Sequence, residues 1–161
     1  MPGIIEDRLA DLSLSLPGSP KLPPGVTIPF EWVRVRGRRA FVSGHGPLAS
    51  DGAPAGPFGK VPSEVSLEAA HESARLTALA MLASLKETIG ELDRIVAWGI
   101  VNGFVNADPG YAQTTLVLDY LSDLILEIFG PDIGAHARTA IGVATVLLNL
   151  PLVVSAEVEP S

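Results

Sequence analysis

The chain has no cysteine among its 161 residues. This excludes disulfides, thiolate nucleophiles and cysteine-ligated metals. Charged residues are scarce at 18%, and aromatics scarcer at 6%. Basic residues do not cluster beyond Arg34, Arg36, Arg38 and Arg39. With a net charge of -7, that disfavours non-specific nucleic-acid binding. No apolar run reaches the roughly 18 residues of a membrane-spanning helix. The first residues carry acids and no basic region, so they do not read as a signal peptide. A cytoplasmic protein is expected. No GxSxG, P-loop or HExxH pattern occurs.

What remains is an apolar chain. Hydrophobic residues make up 47%, and mean hydropathy is +0.36. The length suits one domain with a real core. With few charges to cover its surface, contacts between copies are the economical answer, and a homo-oligomer is expected.

Residues 1–29 read as an arm: a short helix over 4–12, then a Pro/Gly-rich stretch from Pro17 to Pro29. Residues 30–161 read as a single domain. Strands are expected over 30–35 and 40–43, where Val33 and Val35 alternate with Arg34 and Arg36. A long loop follows over 48–65. The clearest helix spans 66–89, with Leu67, Ala70, Ala74, Ala78, Leu82 and Leu85 on one stripe. Ser66 and Gly90 suit its caps. A strand over 95–105, a turn at 107–110 and a helix over 114–129 come next. That helix is expected to turn Leu116, Tyr120, Leu121, Leu124, Ile125 and Ile128 inward. Two strands, 136–147 and 152–158, close the chain. The order β-β-α-β-α-β-β predicts an α+β layer, two helices on one face of a mixed sheet. The other face would also be apolar and would need a partner subunit.

One residue stands out. Arg138 opens an otherwise small or apolar strand. A guanidinium is always charged and costly to desolvate alone, so it needs an anionic partner. That partner is an acid of the protein, such as Asp132 or Glu157, or a carboxylate on a ligand. His45 follows Gly44 at a strand end, where a cleft should open. It is either a general acid or base or a histidine hydrogen-bonded in a loop. His136 reads as a strand cap or cleft rim, and His71 as surface or packing. Asp119, Asp123 and Glu127 recur every four residues, the pattern of a solvated helix face rather than a cation site.

The segment Val42-Ser43-Gly44-His45-Gly46-Pro47, the alanine-rich helix, Gly103-Phe104-Val105-Asn106 and the closing Ala137-Arg138-Thr139-Ala140-Ile141-Gly142-Val143-Ala144 together resemble the RidA/YjgF family. That family is also called the endoribonuclease L-PSP family. The resemblance covers roughly residues 28–158. It implies a chorismate-mutase-like α+β fold assembled as a homotrimer, with a barrel-like core and three ligand clefts between subunits. Better-known members are imine/enamine deaminases that hydrolyse 2-iminoacids to 2-oxoacids and ammonia without metal or organic cofactor. Some members are described as ribonucleases. By resemblance, Arg138 is the arginine that grips a substrate carboxylate, and a bidentate pair suits that role. Gly44 is where backbone approaches the ligand. Phe30 stands where many members have a site tyrosine, and Ala140 where many have a cysteine. The deaminases carry a glutamate fifteen positions after the arginine. Here that position is Val153, and a slip of two reaches only Ser155. Glu157 needs a slip of four. The carboxylate-binding half of the site is present, and the water-activating half is missing or supplied elsewhere. Two readings stay open: a deaminase in which Arg138 orients the substrate and His45 helps the water, and a non-catalytic carboxylate-binding protein. A ribonuclease is the third.

Overall fold

The computed structural model describes residues 3–161, so Met1 and Pro2 of the expected arm lie outside the described residues. It contains α1 (Ile4–Asp11), β1 (Val33–Arg36), β2 (Arg39–His45), α2 (Leu67–Ile89), β3 (Ile95–Asn106), α3 (Thr114–Phe129), β4 (Ala137–Val143) and β5 (Leu152–Pro160). The five strands form one sheet in the order β1-β2-β5-β3-β4. All neighbours are antiparallel except β3 and β4, which α3 connects in parallel. This is the expected α+β arrangement.

The local chemistry explains the elements. The β1–β2 turn has two residues, Gly37 and Arg38, between paired Arg36 and Arg39. Gly37 takes φ 58°, which a tight hairpin asks of its first turn position and which glycine adopts without a Cβ clash. Ser66 caps α2, its side chain accepting from the Ala69 N–H at 3.1 Å. Gly90 ends that helix at φ 91°. The alanines of α2 bring it close to the sheet: Ala70, Ala74 and Ala78 are fully buried beside Met81, Leu82 and Leu85. Along β5 burial alternates residue by residue. Leu152, Val154, Ala156 and Val158 join the helix-side core.

Three sequence expectations shift. The buried stripe of α3 is Val117, Leu118, Leu121, Leu124, Ile125, Ile128 and Phe129. Leu116 and Tyr120 point outward instead, and the Tyr120 ring stacks on His71 at 4.0 Å. The arginine strand stops at Val143 rather than running to 147. Leu148 and Asn149 then turn the chain in the left-handed region, at φ 57° and 56°. Phe30 lies before β1, outside the sheet.

The arm is bound to the body. Ile5 and Leu9 of α1 join the core. The N–H groups of Ile4 and Ile5 donate to the Asp93 carboxylate at 2.9 and 3.0 Å, and Arg8 donates to the Ile128 carbonyl at 2.8 Å. The sheet face away from the helices carries Phe41, Ile100 and Ile141, all exposed. The Arg39 guanidinium lies over the Phe41 ring, 4.7 Å from its centroid. Among the described residues no helix is long and apolar enough to cross a membrane.

Candidate functional site

The expected site residues fall into two groups. Arg138 and Ala140 lie on β4, the edge strand beyond β3. Two apart on a strand, they share a face, the one toward α3. Arg138 donates from Nη1 to Ser122 Oγ at 3.0 Å. From Nη2 it donates to the Thr115 hydroxyl at 2.7 Å, the Thr115 carbonyl at 3.2 Å and the Asp119 carboxylate at 2.9 Å. All three partners sit on α3. The Arg138 side chain is 18% exposed and that of Asp119 47%, so the pair is half in water. Within the chain the acidic partner is therefore Asp119, not Asp132 or Glu157. Glu157 instead takes a two-point ion pair from Arg39, at 2.7 and 3.0 Å. That pairing holds the Glu157 carboxyl below its usual range. Among the described residues, no hydrogen bond uses Nε of Arg138, which leaves one N–H of the fork for another acceptor. The Ala140 carbonyl accepts from Thr114 Oγ1 at 3.0 Å.

Ser122 passes the contact on to His136. The imidazole Nδ1 lies 2.7 Å from the Gly134 carbonyl and Nε2 2.9 Å from Ser122 Oγ. A carbonyl only accepts, so Nδ1 carries the proton. Nε2 then accepts from the Ser122 hydroxyl, whose oxygen in turn accepts from Arg138. One ordered chain runs from the guanidinium to the Gly134 carbonyl. His136 thus helps to position Arg138 through Ser122.

The second group is three strands away, about 14 Å at the usual strand spacing. Phe30, Gly44, His45 and Val153 line one cleft of about 470 Å³, walled also by the arm at Leu22, Val26 and Ile28 and by the turn at Leu147, Leu148 and Leu150. Gly44 and Val153 touch directly: a Cβ at Gly44 would stand 2.9 Å from Val153 Cγ1. The space that the glycine opens is occupied by the valine. Phe30 is 48% exposed and meets Trp32 edge-on at 5.4 Å.

His45 is 2% exposed. Its Nδ1 lies 2.6 Å from the Ser43 carbonyl and its Nε2 2.8 Å from Ser84 Oγ on α2. By the same reasoning Nδ1 donates and Nε2 accepts. Burial pushes the imidazole below its ordinary 6.5, and the Ser43 carbonyl opposes this only in part. Both nitrogens are hydrogen-bonded within the protein. The structure places His45 in the cleft wall, tied to α2 by a serine that sequence reasoning missed. Among the described residues no group of His, Asp or Glu could hold a metal ion.

Comparison with known proteins places this geometry. No family model matches the chain. The protein TCP17 of Trypanosoma cruzi is 34% identical over 101 residues, 63% of this chain and 63% of that protein. The crystal structure of Atu1372 from Agrobacterium tumefaciens, of unknown function, superposes with a TM-score of 0.85 at 31% identity, covering 98% of this chain and 92% of that one. A Shewanella oneidensis protein named as a candidate endoribonuclease gives 0.85 at 28%, covering 96% and 98%. For fold alone, YyfA of Yersinia pestis, described as a Rid family protein, gives 0.56 at 15%, covering 84% and 91%. The first two of these likenesses span almost the whole chain, and with the motifs around Gly44 and Arg138 they show that the chain belongs to the RidA/YjgF family, also called the endoribonuclease L-PSP family.

Proposed function

We propose that this chain binds a small carboxylate-bearing molecule between subunits of a homotrimer and lacks the group that would activate water. The carrying observation is the chemistry of the cleft. Val153 stands at the glutamate position, and the other titratable groups on the walls are His45 and Lys21. His45 has no free nitrogen, and Lys21 is paired with Asp51 at 3.2 Å. General acid–base catalysis on water needs a well-placed group to exchange a proton, and the cleft lining holds no carboxylate, while its imidazole is 2% exposed. Arg138 supplies the carboxylate contact through its unused Nε–H, in competition with Asp119. In one chain Arg138 and Gly44 stand apart, so a shared site joins Arg138 of one subunit to the cleft of the next. The exposed sheet face with Phe41, Ile100 and Ile141 is the surface for that assembly.

A second reading is slow hydrolysis of 2-imino or enamino acids. It is favoured by the position of Arg138, because holding a substrate in place lowers a barrier by itself. The ribonuclease reading has less support. Arg38 and Arg39 are already paired with Glu159 and Glu157, and the net charge is -7.

The test is a titration with 2-oxobutanoate and an assay of 2-iminobutanoate generated in situ. A saturable rise in Tm is expected, lost in Arg138→Ala, with no faster loss of the imine. A charge-assisted contact is worth about 1.5–3 kcal/mol, so Arg138→Ala should weaken binding roughly tenfold or more. Acceleration by wild type but not by Arg138→Ala would overturn the binding reading in favour of the deaminase. Light scattering should return three times 16.8 kDa; a monomer sinks the shared site.

A further inference from the structure

Fourteen large hydrophobic side chains are exposed among the described residues, and five of them converge on one place: Leu22, Val26, Phe30, Leu147 and Leu148 all line the cleft at Gly44. Scattered single exposures need no explanation, whereas a convergent patch does. Leu148 is presented there in the left-handed region at φ 57°, a conformation that a bulky residue rarely adopts. Neighbouring contacts hold it. Asn149 Oδ1 accepts from Asn106 Nδ2 at 2.9 Å, and the Asn149 carbonyl accepts from the Gly59 N–H at 2.7 Å. Asn106 is itself fixed by Lys60, which donates to its Oδ1 at 2.9 Å. Backbone strain is thus spent on showing a leucine to a cleft.

We propose that this cleft is a binding chamber for an uncharged apolar group, an aromatic ring or a branched alkyl chain, and that the arm residues Leu22 and Val26 select it. Its volume of about 470 Å³ falls within the roughly 300–1,000 Å³ of small-molecule sites. A polar group entering would leave water for walls whose polar side chains are His45, hydrogen-bonded on both nitrogens, Lys21, paired with Asp51, and Trp32, whose indole N–H can only donate. Four wall residues, Pro20, Pro23, Pro47 and Pro54, have φ fixed by their rings. The chamber therefore loses little freedom when filled. This deepens the carboxylate reading by giving the ligand's apolar part a place, yet it requires nothing of Arg138.

Trp32 lines the chamber, and the other tryptophan, Trp98, is buried against Phe129. A Trp98→Phe background leaves Trp32 as the single reporter. Isobutylbenzene, which is neutral, should shift Trp32 emission saturably, while 1,2-propanediol should not. Val26→Asp and Leu22→Asp, each placing a charge on the exposed arm, should weaken the isobutylbenzene response at least tenfold. A saturable isobutylbenzene shift in protein that does not bind 2-oxobutanoate would uphold the chamber and sink the carboxylate reading, so the two readings fail separately. The proposal is overturned if isobutylbenzene gives no saturable shift, as when a neighbouring subunit already fills the space. It is equally overturned if both arm variants, folded by circular dichroism, respond like wild type.

Discussion

At the β4 edge Arg138, Ser122, His136, Thr115 and Asp119 form one connected polar network. At the β2–β5 end, apolar side chains from the arm, the segment after β2, β5 and the turn at Leu147 and Leu148 surround a chamber whose polar side chains are only Lys21, Trp32 and His45. The first region is built to hold a charge in one place. The second is built to shed water. This chain keeps them three strands apart in its sheet. In the trimer proposed above, another copy closes that gap. The separation also means that each region can be damaged without touching the other.

The largest effect expected on that division comes from the group that seals the chamber floor. Ser84 is 4% exposed and donates to His45 at 2.8 Å. Ser84→Ala strands the Nε2 lone pair in a buried place, at a cost of about 1–3 kcal/mol. Chemical denaturation should show that loss, while carboxylate binding at Arg138 persists. If stability is unchanged, His45 is wetter than the packing indicates, and the chamber is not sealed on that side.

A second effect depends on pH. Burial holds His45 below 6.5 in the folded chain, while the unfolded chain titrates near that ordinary value. As pH falls past about 6.5, the unfolded state takes up a proton that the folded state refuses. Stability is therefore full above that value and declines as pH drops toward the folded-state value. The carboxyls held below their usual range, such as Asp108 and Asp51, titrate lower still and leave this window to the imidazole. Thermal melts between pH 7.5 and 5 should show the decline, and His45→Gln should flatten it. An equal slope in the variant would place the titrating group elsewhere.

The two regions also differ in how far the sequence announces them. Arg138 is conspicuous because a lone charge in an apolar strand has to be explained. Its partner is not, because Asp119 belongs to a stripe of three acids whose spacing looks solvated. Only the parallel placement of β4 beside β3, with α3 above, brings that one acid over the strand. The caps Ser66 and Gly90 and the Gly37 turn are local devices, and local devices can be read residue by residue. The end of β4 cannot. Ala144, Thr145 and Val146 look like more strand, and no glycine marks the left-handed turn at Leu148. Nor can the chamber be read: residues 22, 26, 30, 44, 148 and 153 meet only after the sheet forms. The family resemblance singled out Phe30, Gly44 and Val153 one at a time, for a polar site. Periodicity carries no signal for a wall assembled from single residues of separate segments.

The smallest effect probes the β4 edge. Asp119 is about half exposed, so its ion pair with Arg138 is weak on the scale of surface pairs, about 0.2–1 kcal/mol. Asp119→Asn keeps an oxygen for Arg138 to bond and removes only the charge, so stability should fall by no more than that. The same substitution removes the internal rival of an external carboxylate. Relief of about 0.65 kcal/mol, inside that range, corresponds to roughly threefold tighter binding of 2-oxobutanoate. Lower stability and higher affinity in one variant are hard to obtain unless Arg138 exchanges one carboxylate for another. A loss of affinity, or none at all, would mean that Arg138 spends its charge within the chain, and the carboxylate site would have to be sought elsewhere.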